Sequence, residues 1–326
     1  MKTTRGRILV IRGGAIGDFI LTLPAITALR QQFPDAHLEV LGYPHIAQLA
    51  VAGGLVSRLQ PIEARALAGF FADGGALPEA LGDYFSEFDI IVSYLYDPDG
   101  IFRANVARVS SAQFIVGPHR PDELAREHAT RVFLWPLERL AIFGADPVPR
   151  LRLAGGAVPT LAEASSPLAV HPGSGSERKN WPEAKWSELL QRVLAALPHR
   201  VLLVGGEAEG HRLERLVRGL PAGRCELAQH LPLAELAGRL RGCRAFIGHD
   251  SGITHLAAAL GLPVLALWGE TSVEIWRPQG ARVRILREPT GLRLLAVDRV
   301  CQELVALLAE SAPAPSEAPQ TPSQDV

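Results

Sequence analysis

The residues that could do chemistry in this 326-residue chain fall in a few short stretches, and Asp18 is the most telling. It follows the apolar run Arg7-Ile8-Leu9-Val10-Ile11-Arg12 and the loop Gly13-Gly14-Ala15-Ile16-Gly17, and it opens a helical pattern. Strand, glycine loop and helix form the opening unit of a nucleotide-binding α/β domain. In a dinucleotide site the helix N-terminus receives a pyrophosphate, which a carboxylate would repel. The helix dipole favours a negative charge at that position. Asp18 is therefore a candidate general base on a rigid element, or a plain helix N-terminal residue that stabilises by its charge. The G-x-G-x-x-G fingerprint is also incomplete: Gly14 and Gly17 are correctly spaced, but Arg12 stands at the first glycine position. A nicotinamide dehydrogenase is not expected.

Three further loops have the composition of anion or nucleotide sites. His171-Pro172-Gly173-Ser174-Gly175-Ser176-Glu177-Arg178-Lys179-Asn180-Trp181-Pro182 follows a strand and precedes a helix. Its glycines and serines offer N–H groups and hydroxyls to an anion, and Arg178 and Lys179 add positive charge. The compact ammonium of Lys179 suits a departing phosphate; the alternative is a solvated polar loop. Gly248-His249-Asp250-Ser251-Gly252-Ile253-Thr254-His255 closes a strand and opens a helix. The N–H groups near Ser251 and Gly252 could hold a diphosphate, with His255 one turn on. The spacing of His249, Asp250 and His255 matches no familiar metal-ligand set, and an ordinary helix cap explains the stretch as well. Val204-Gly205-Gly206-Glu207-Ala208-Glu209 places acids after a glycine turn, where they suit ribose hydroxyls or the cap of the next helix. Asp97-Pro98-Asp99 reads as a turn rather than a cation site. Arg103, Arg108 and Arg120 could face an anionic acceptor or simply be solvated.

The elements that must position these loops alternate strand with helix. Strands are expected at Ile8–Ile11, Leu38–Leu41, Ile90–Ser93, Phe114–Gly117, Leu168–His171, Val201–Val204, Ala245–Gly248 and Val264–Leu267, with amphipathic helices such as Pro182–Leu197 and Leu233–Leu240 between them. This is an α/β alternation with parallel sheets. Pro24 should kink or split the first helix. A boundary falls near Asp146–Pro167, after which the chain restarts with strand, loop and helix. The expected layout is a Rossmann-like domain over 1–155, a second over 166–291, a closing helix over 292–310 and a disordered tail over 311–326.

Composition excludes several function classes. With 33 basic and 34 acidic residues the formal net charge is −1, so no nucleic-acid partner is implied. Cys225, Cys243 and Cys301 form no CxxC pair, which argues against a disulfide framework or zinc site and fits a reducing cytoplasm. No apolar run reaches the ~18 residues of a membrane span, and no signal-peptide region opens the chain. A soluble cytoplasmic protein is expected, with peripheral membrane contact open.

The ordered motifs resemble the family 9 glycosyltransferases, the ADP-heptose:lipopolysaccharide heptosyltransferases. The resemblance is carried by Gly-Ala-Ile-Gly-Asp-Phe-Ile-Leu-Thr-Leu-Pro at 14–24, by Glu177-Arg178-Lys179-Asn180-Trp181-Pro182 and by Asp250-Ser251-Gly252-Ile253-Thr254-His255-Leu256, over about residues 7–290. It implies a GT-B fold, two Rossmann-like domains facing across a cleft, with the acceptor on the first and the donor on the second. It implies that Asp18 is the catalytic base, beside loop glycines Gly14 and Gly17, and that Lys179 contacts the donor phosphates. Ser174, Ser176, Asp250, Ser251, Gly252 and His255 would line the donor site, Glu209 rather than Glu207 would hold the ribose, and Leu231 would meet the adenine through its backbone. Ala15 stands where some members have serine, and the loop Gly173–Glu177 departs from the threonine-rich version of the first-heptose enzymes.

The reaction so implied is an inverting, metal-independent transfer of a heptosyl or related group from an ADP-sugar to a lipopolysaccharide-core or similar lipid-linked glycan, with no cofactor and no metal. Alternatives are a transferase using another nucleotide sugar for capsule or exopolysaccharide, a nucleotide-sugar epimerase, and a catalytically silent sugar-nucleotide-binding protein.

Overall fold

The computed structural model describes residues 6–153, 166–206, 209 and 211–310. The first half runs β1 (Arg7–Arg12), α1 (Ile16–Gln32), β2 (His37–Gly42), α2 (Pro44–Ala52), β3 (Arg58–Pro61), α3 (Glu79–Ser86), β4 (Ile90–Ser93), α4 (Ile101–Ala107), β5 (Gln113–Val116) and α5 (Ala129–Leu134). The second runs β6 (Leu168–His171), α6 (Glu183–Ala196), β7 (Val201–Gly205), α7 (Arg212–Arg218), β8 (Cys225–Gln229), α8 (Leu233–Arg241), β9 (Ala245–His249), α9 (Gly252–Ala259), β10 (Val264–Trp268), α10 (Val273–Trp276), β11 (Val283–Arg287) and α11 (Val297–Glu310).

Each half builds one parallel sheet, ordered β3-β2-β1-β4-β5 and β11-β10-β9-β6-β7-β8. The central strands are continuous apolar runs because helices cover both faces of a parallel sheet. All eight strands expected from the sequence form, to within a residue or two at their ends. In both sheets the strand order reverses at the first strand of the half. Next to β1 it reverses between β2 and β4, and next to β6 between β7 and β9. The crevice beyond the carboxyl ends of strands at such a reversal is where open α/β sheets bind ligands. The glycine loop after β1 and the loops after β6 and β9 all lie there.

One apolar core runs across the two halves. It joins α1 and the inner face of the first sheet to Leu256, Ala257 and Trp268 of the second. Separate clusters fill the outer face of each sheet. α1 is therefore packed on nearly all sides, with Phe19–Ile26 buried throughout. That packing changes the reading of Pro24. The residue is buried inside a single 17-residue helix, which is not split. A proline there removes one backbone bond, but burial of the surrounding side chains outweighs the loss. The helix also opens at Ile16, two residues earlier than the sequence pattern suggested.

The C-terminal helix is shorter than expected, a turn at Leu292–Leu294 followed by α11 from Val297. It packs on α6 of the second half. The expected boundary falls partly on residues 154–165 and the expected tail on 311–326, which lie outside the described residues.

Candidate active site

Asp18 is the third residue of α1. Its Oδ2 accepts the Ala15 N–H at 2.9 Å, so the local capping role exists. Gly14 makes room for this arrangement. Its φ is +95°, and a Cβ there would meet Asp18 Oδ2 at 2.8 Å. The other oxygen, Oδ1, lies 3.6 Å from Nη2 of Arg12. With about a quarter of its side chain exposed, the carboxylate still opens onto the cleft.

Arg12, the residue that spoiled the dinucleotide fingerprint, is buried beneath Asp18. Its Nη1 donates to the Tyr94 and His119 carbonyls at 3.3 and 2.9 Å, and its Nη2 to the Asp18 carbonyl at 3.4 Å. The guanidinium stands over the Phe133 ring at 4.6 Å. Burial pulls its pKa down from the ordinary value, and the Asp18 carboxylate opposes that shift. Arg12 thus ties the end of β1, the first turn of α1 and the loop after β5 into one unit.

Across the cleft, Ser251 caps α9, its Oγ accepting the Thr254 N–H at 3.3 Å. α1 and α9 pack against each other, and their first turns are in close contact. A Cβ on Gly252 would lie 2.6 Å from Ile16 Cβ and 2.9 Å from Gly17 N. The start of α9 favours an anion, whereas at the start of α1 the Asp18 carboxylate already answers the helix dipole. Lys179 Nζ donates to Asp250 Oδ2 at 2.5 Å beside the start of α9. Lys179 ends a short turn, Glu177–Lys179, in the loop after β6, and keeps 41% of its side chain exposed.

Two cavities meet over this floor and share Ala15, Gly17, Gly175, Ser251 and Gly252. The first, of about 740 Å³, is polar and holds Asp18, Ser176, Lys179, Asp250 and His255. The second, of about 690 Å³, is lined by Gly14, Ser174, Glu209, Leu231 and Leu236 among others. The residues that the family resemblance assigned to the base and the donor site thus all line one of these two spaces, whereas His249, Asp97, Asp99, Arg103 and Arg108 line neither. Glu207 lies outside the described residues.

Glu209 is a buried carboxylate, accepting the Gly206 N–H at 2.6 Å and lying 3.7 Å from Nε2 of His171. Burial works to raise its pKa, but His171 and the Gly206 amide outweigh it and hold the acid below its ordinary range. Ser174 spends its hydroxyl inside the loop, its Oγ lying 2.8 Å from both the Ser176 carbonyl and the Asn180 side-chain amide, so that its single proton serves one of them at a time.

The histidines separate by role. His249 is enclosed, its Nε2 accepting the Trp181 N–H at 2.8 Å and its Nδ1 directed at the Gly173 carbonyl at 3.2 Å. Burial pushes it down to about 3, so it is a neutral tie between the two loops. His255 faces the polar cavity. Burial takes it down to about 4, against the pull of Asp250 and Asp18. No group of three or more metal-capable side chains occurs among the described residues.

Asp97 caps α4, accepting the Phe102 and Arg103 N–H groups at 3.1 and 3.0 Å. Arg108 is spent on the Gly75 carbonyl and Asn105. Of the three arginines only Arg120 reaches the polar cavity, its guanidinium 5.6 Å from the Trp276 ring of the opposite half.

Sequence reasoning missed several cavity residues, namely His171, Tyr43 with His45, and the loop Gly269–Ser272 after β10, and it missed the role of the buried Arg12 beneath Asp18. The loop alone carried a signal, since it follows an expected strand at the carboxyl edge of the sheet.

A model of glycosyltransferase family 9 (heptosyltransferase) matches residues 155–303, the half that carries the loops after β6 and β9. Over that stretch the chain is similar to glycosyltransferase family 9. It is 28% identical over 302 residues to lipopolysaccharide heptosyltransferase 1 of Pseudomonas aeruginosa, a match covering 82% of this chain and 79% of the relative. Solved family 9 structures share the fold. E. coli ADP-heptose lps heptosyltransferase II superposes with a TM-score of 0.74 at 20% identity, covering 93% of this chain and 99% of the other. The E. coli heptosyltransferase WaaC with ADP superposes at 0.69 and 22% identity, covering 92% and 99%. The protein therefore has the GT-B layout of two parallel-sheet domains.

Proposed function

We propose that the protein transfers a heptosyl or closely related group from an ADP-sugar to a lipopolysaccharide-core or similar lipid-linked glycan, with inversion at the anomeric carbon and without a metal. One observation carries this reading: Asp18 and the start of α9, with Lys179 beside it, face the same polar cavity from opposite domains. The named relative, a lipopolysaccharide heptosyltransferase, supports the substrate class.

The diphosphate would sit on the N–H groups at Ser251–Gly252, within reach of Lys179. Its ribose would meet Glu209, and its base would lie along Leu231. The donor's sugar then extends into the polar cavity toward Asp18. An acceptor hydroxyl attacks the anomeric carbon from the face opposite the phosphate. As that C–O bond forms, Asp18 takes the hydroxyl proton and the bond from the anomeric carbon to the phosphate oxygen breaks. Lys179 and the α9 N–H groups take up the charge left on ADP. Lys179 is already paired with Asp250, so the diphosphate shares that ammonium.

Among the described residues no helix is long and apolar enough to cross a membrane. We place the enzyme in the cytoplasm, meeting its lipid-linked acceptor at the membrane surface.

A donor panel tests the reading. ADP-heptose, ADP-glucose and UDP-sugars are compared by thermal shift, and transfer to a purified core acceptor is followed with and without excess chelator. Stabilisation by ADP-sugars and an inverted product formed in chelator are expected. A UDP preference, or activity lost to chelator and restored by a divalent metal, would overturn it.

A further inference from the structure

We propose that the first domain supplies part of the nucleoside site: Tyr43 and His45 close over the base and ribose of the donor nucleotide. This rests on reading the second cavity as the nucleotide site.

That cavity has two walls from different domains. One is the end of β7 with Glu209, Leu231 and Leu236; the other is the turn entering α2, with Tyr43 and His45. Both rings are exposed, Tyr43 at 36%, and their centroids lie 5.8 Å apart at 40°. They face a largely apolar hollow. An aromatic side chain left uncovered beside such a hollow is suited to stacking on a flat heterocycle.

The charge layout fixes which part of a nucleotide lies there. The start of α9, shared by both cavities, is the anion end, and the buried Glu209 carboxylate suits hydroxyl donors. The base must then lie farther in, against Leu231 and Leu236, where the Tyr43 and His45 wall stands opposite. The placement is rigid on both sides. α2 packs directly on α8, the helix that carries Leu233 and Leu236. Tyr43 also rests near Gly13 of the glycine loop, 3.9 Å from the position of an added Cβ. The nucleotide therefore bridges two domains that already stand in contact, and it binds to a site formed by both.

Calorimetric titration of ADP into wild type, Tyr43→Ala, His45→Ala and Tyr43→Phe tests this. Each alanine variant should weaken ADP binding about tenfold, equivalent to about 1.4 kcal/mol. Tyr43→Phe, which keeps the ring, should bind like wild type. The unliganded melting temperatures should stay together, because both rings are exposed. Wild type binding ADP with both alanine variants within about twofold of it would overturn the proposal and leave the nucleotide site standing. Wild type failing to bind ADP would overturn the nucleotide reading and this inference together.

Discussion

Replacing Gly252 by alanine separates geometry from hydrogen bonding at the point where the two domains touch. The substitution keeps the N–H offered to a diphosphate. It should also favour α9 itself, since alanine is better than glycine in a helix by about 1 kcal/mol. What it adds is one methyl group, at 2.6 Å from Ile16 Cβ, 3.0 Å from Ile16 Cγ2 and 2.9 Å from the Gly17 nitrogen. Carbon atoms pack at about 3.5–4.0 Å, so α1 and α9 must part by about 1 Å. Asp18 rides on α1 and the donor phosphates on α9, and a misplacement of that size costs on the order of 10²-fold in rate. Steady-state kinetics at saturating donor and acceptor should show that loss in kcat. ADP affinity should fall by no more than the Tyr43 contact contributes. Gly17→Ala is the internal control. Its Cβ would meet His255 Cδ2 at 3.6 Å and Gly252 Cα at 3.7 Å, ordinary contact distances, so its turnover should stay near wild type. Wild-type turnover in Gly252→Ala, or equal losses in both variants, would refute the reasoning.

Other consequences can be measured separately. Lys179→Ala should weaken ADP binding roughly 10–100-fold, the worth of a charge-assisted hydrogen bond, read by calorimetry; unchanged affinity would remove Lys179 from the phosphate site. Arg12→Met should lower stability by about 3 kcal/mol in denaturant titration, because the Tyr94, His119 and Asp18 carbonyls and the Asp18 carboxylate lose their cationic partner. Stability should also fall on acidification. His255 is held at about 4 and His249 at about 3, so the unfolded chain takes up protons that the folded one refuses. Full stability is present above pH ~6.5 and drains away toward pH ~4, by roughly 3 kcal/mol for His255. Melting curves across that range should be flatter for His255→Gln, and identical slopes would contradict the assignment.

What the sequence made legible follows from burial. Strands such as β1, β6 and β9 are unbroken apolar runs because both faces of a parallel sheet are covered. The three strands not foreseen, β3, β8 and β11, all lie at sheet edges, are partly exposed and carry charged residues such as Arg58, Glu226 and Arg284. Their pairing depends on a neighbouring strand and leaves little local pattern. The loops after β1, β6 and β9 were readable because glycine, serine and charge cluster within a few residues. Arg12 was noticed only as a misfit in a glycine motif. Its partners Tyr94 and His119 are 82 and 107 residues away, so its place under Asp18 is a tertiary fact. Tyr43 and His45 were silent for the same reason, since the wall they face belongs to the other domain.

The central claim is that Asp18 removes the acceptor proton, and Asp18→Asn tests it most directly. The amide oxygen can still accept the Ala15 N–H, so the start of α1 and the cleft should keep their shape. The account predicts a fall in kcat on the order of 10²–10⁴-fold, with ADP affinity unchanged. Turnover near the wild-type rate in a variant that binds ADP normally would contradict it.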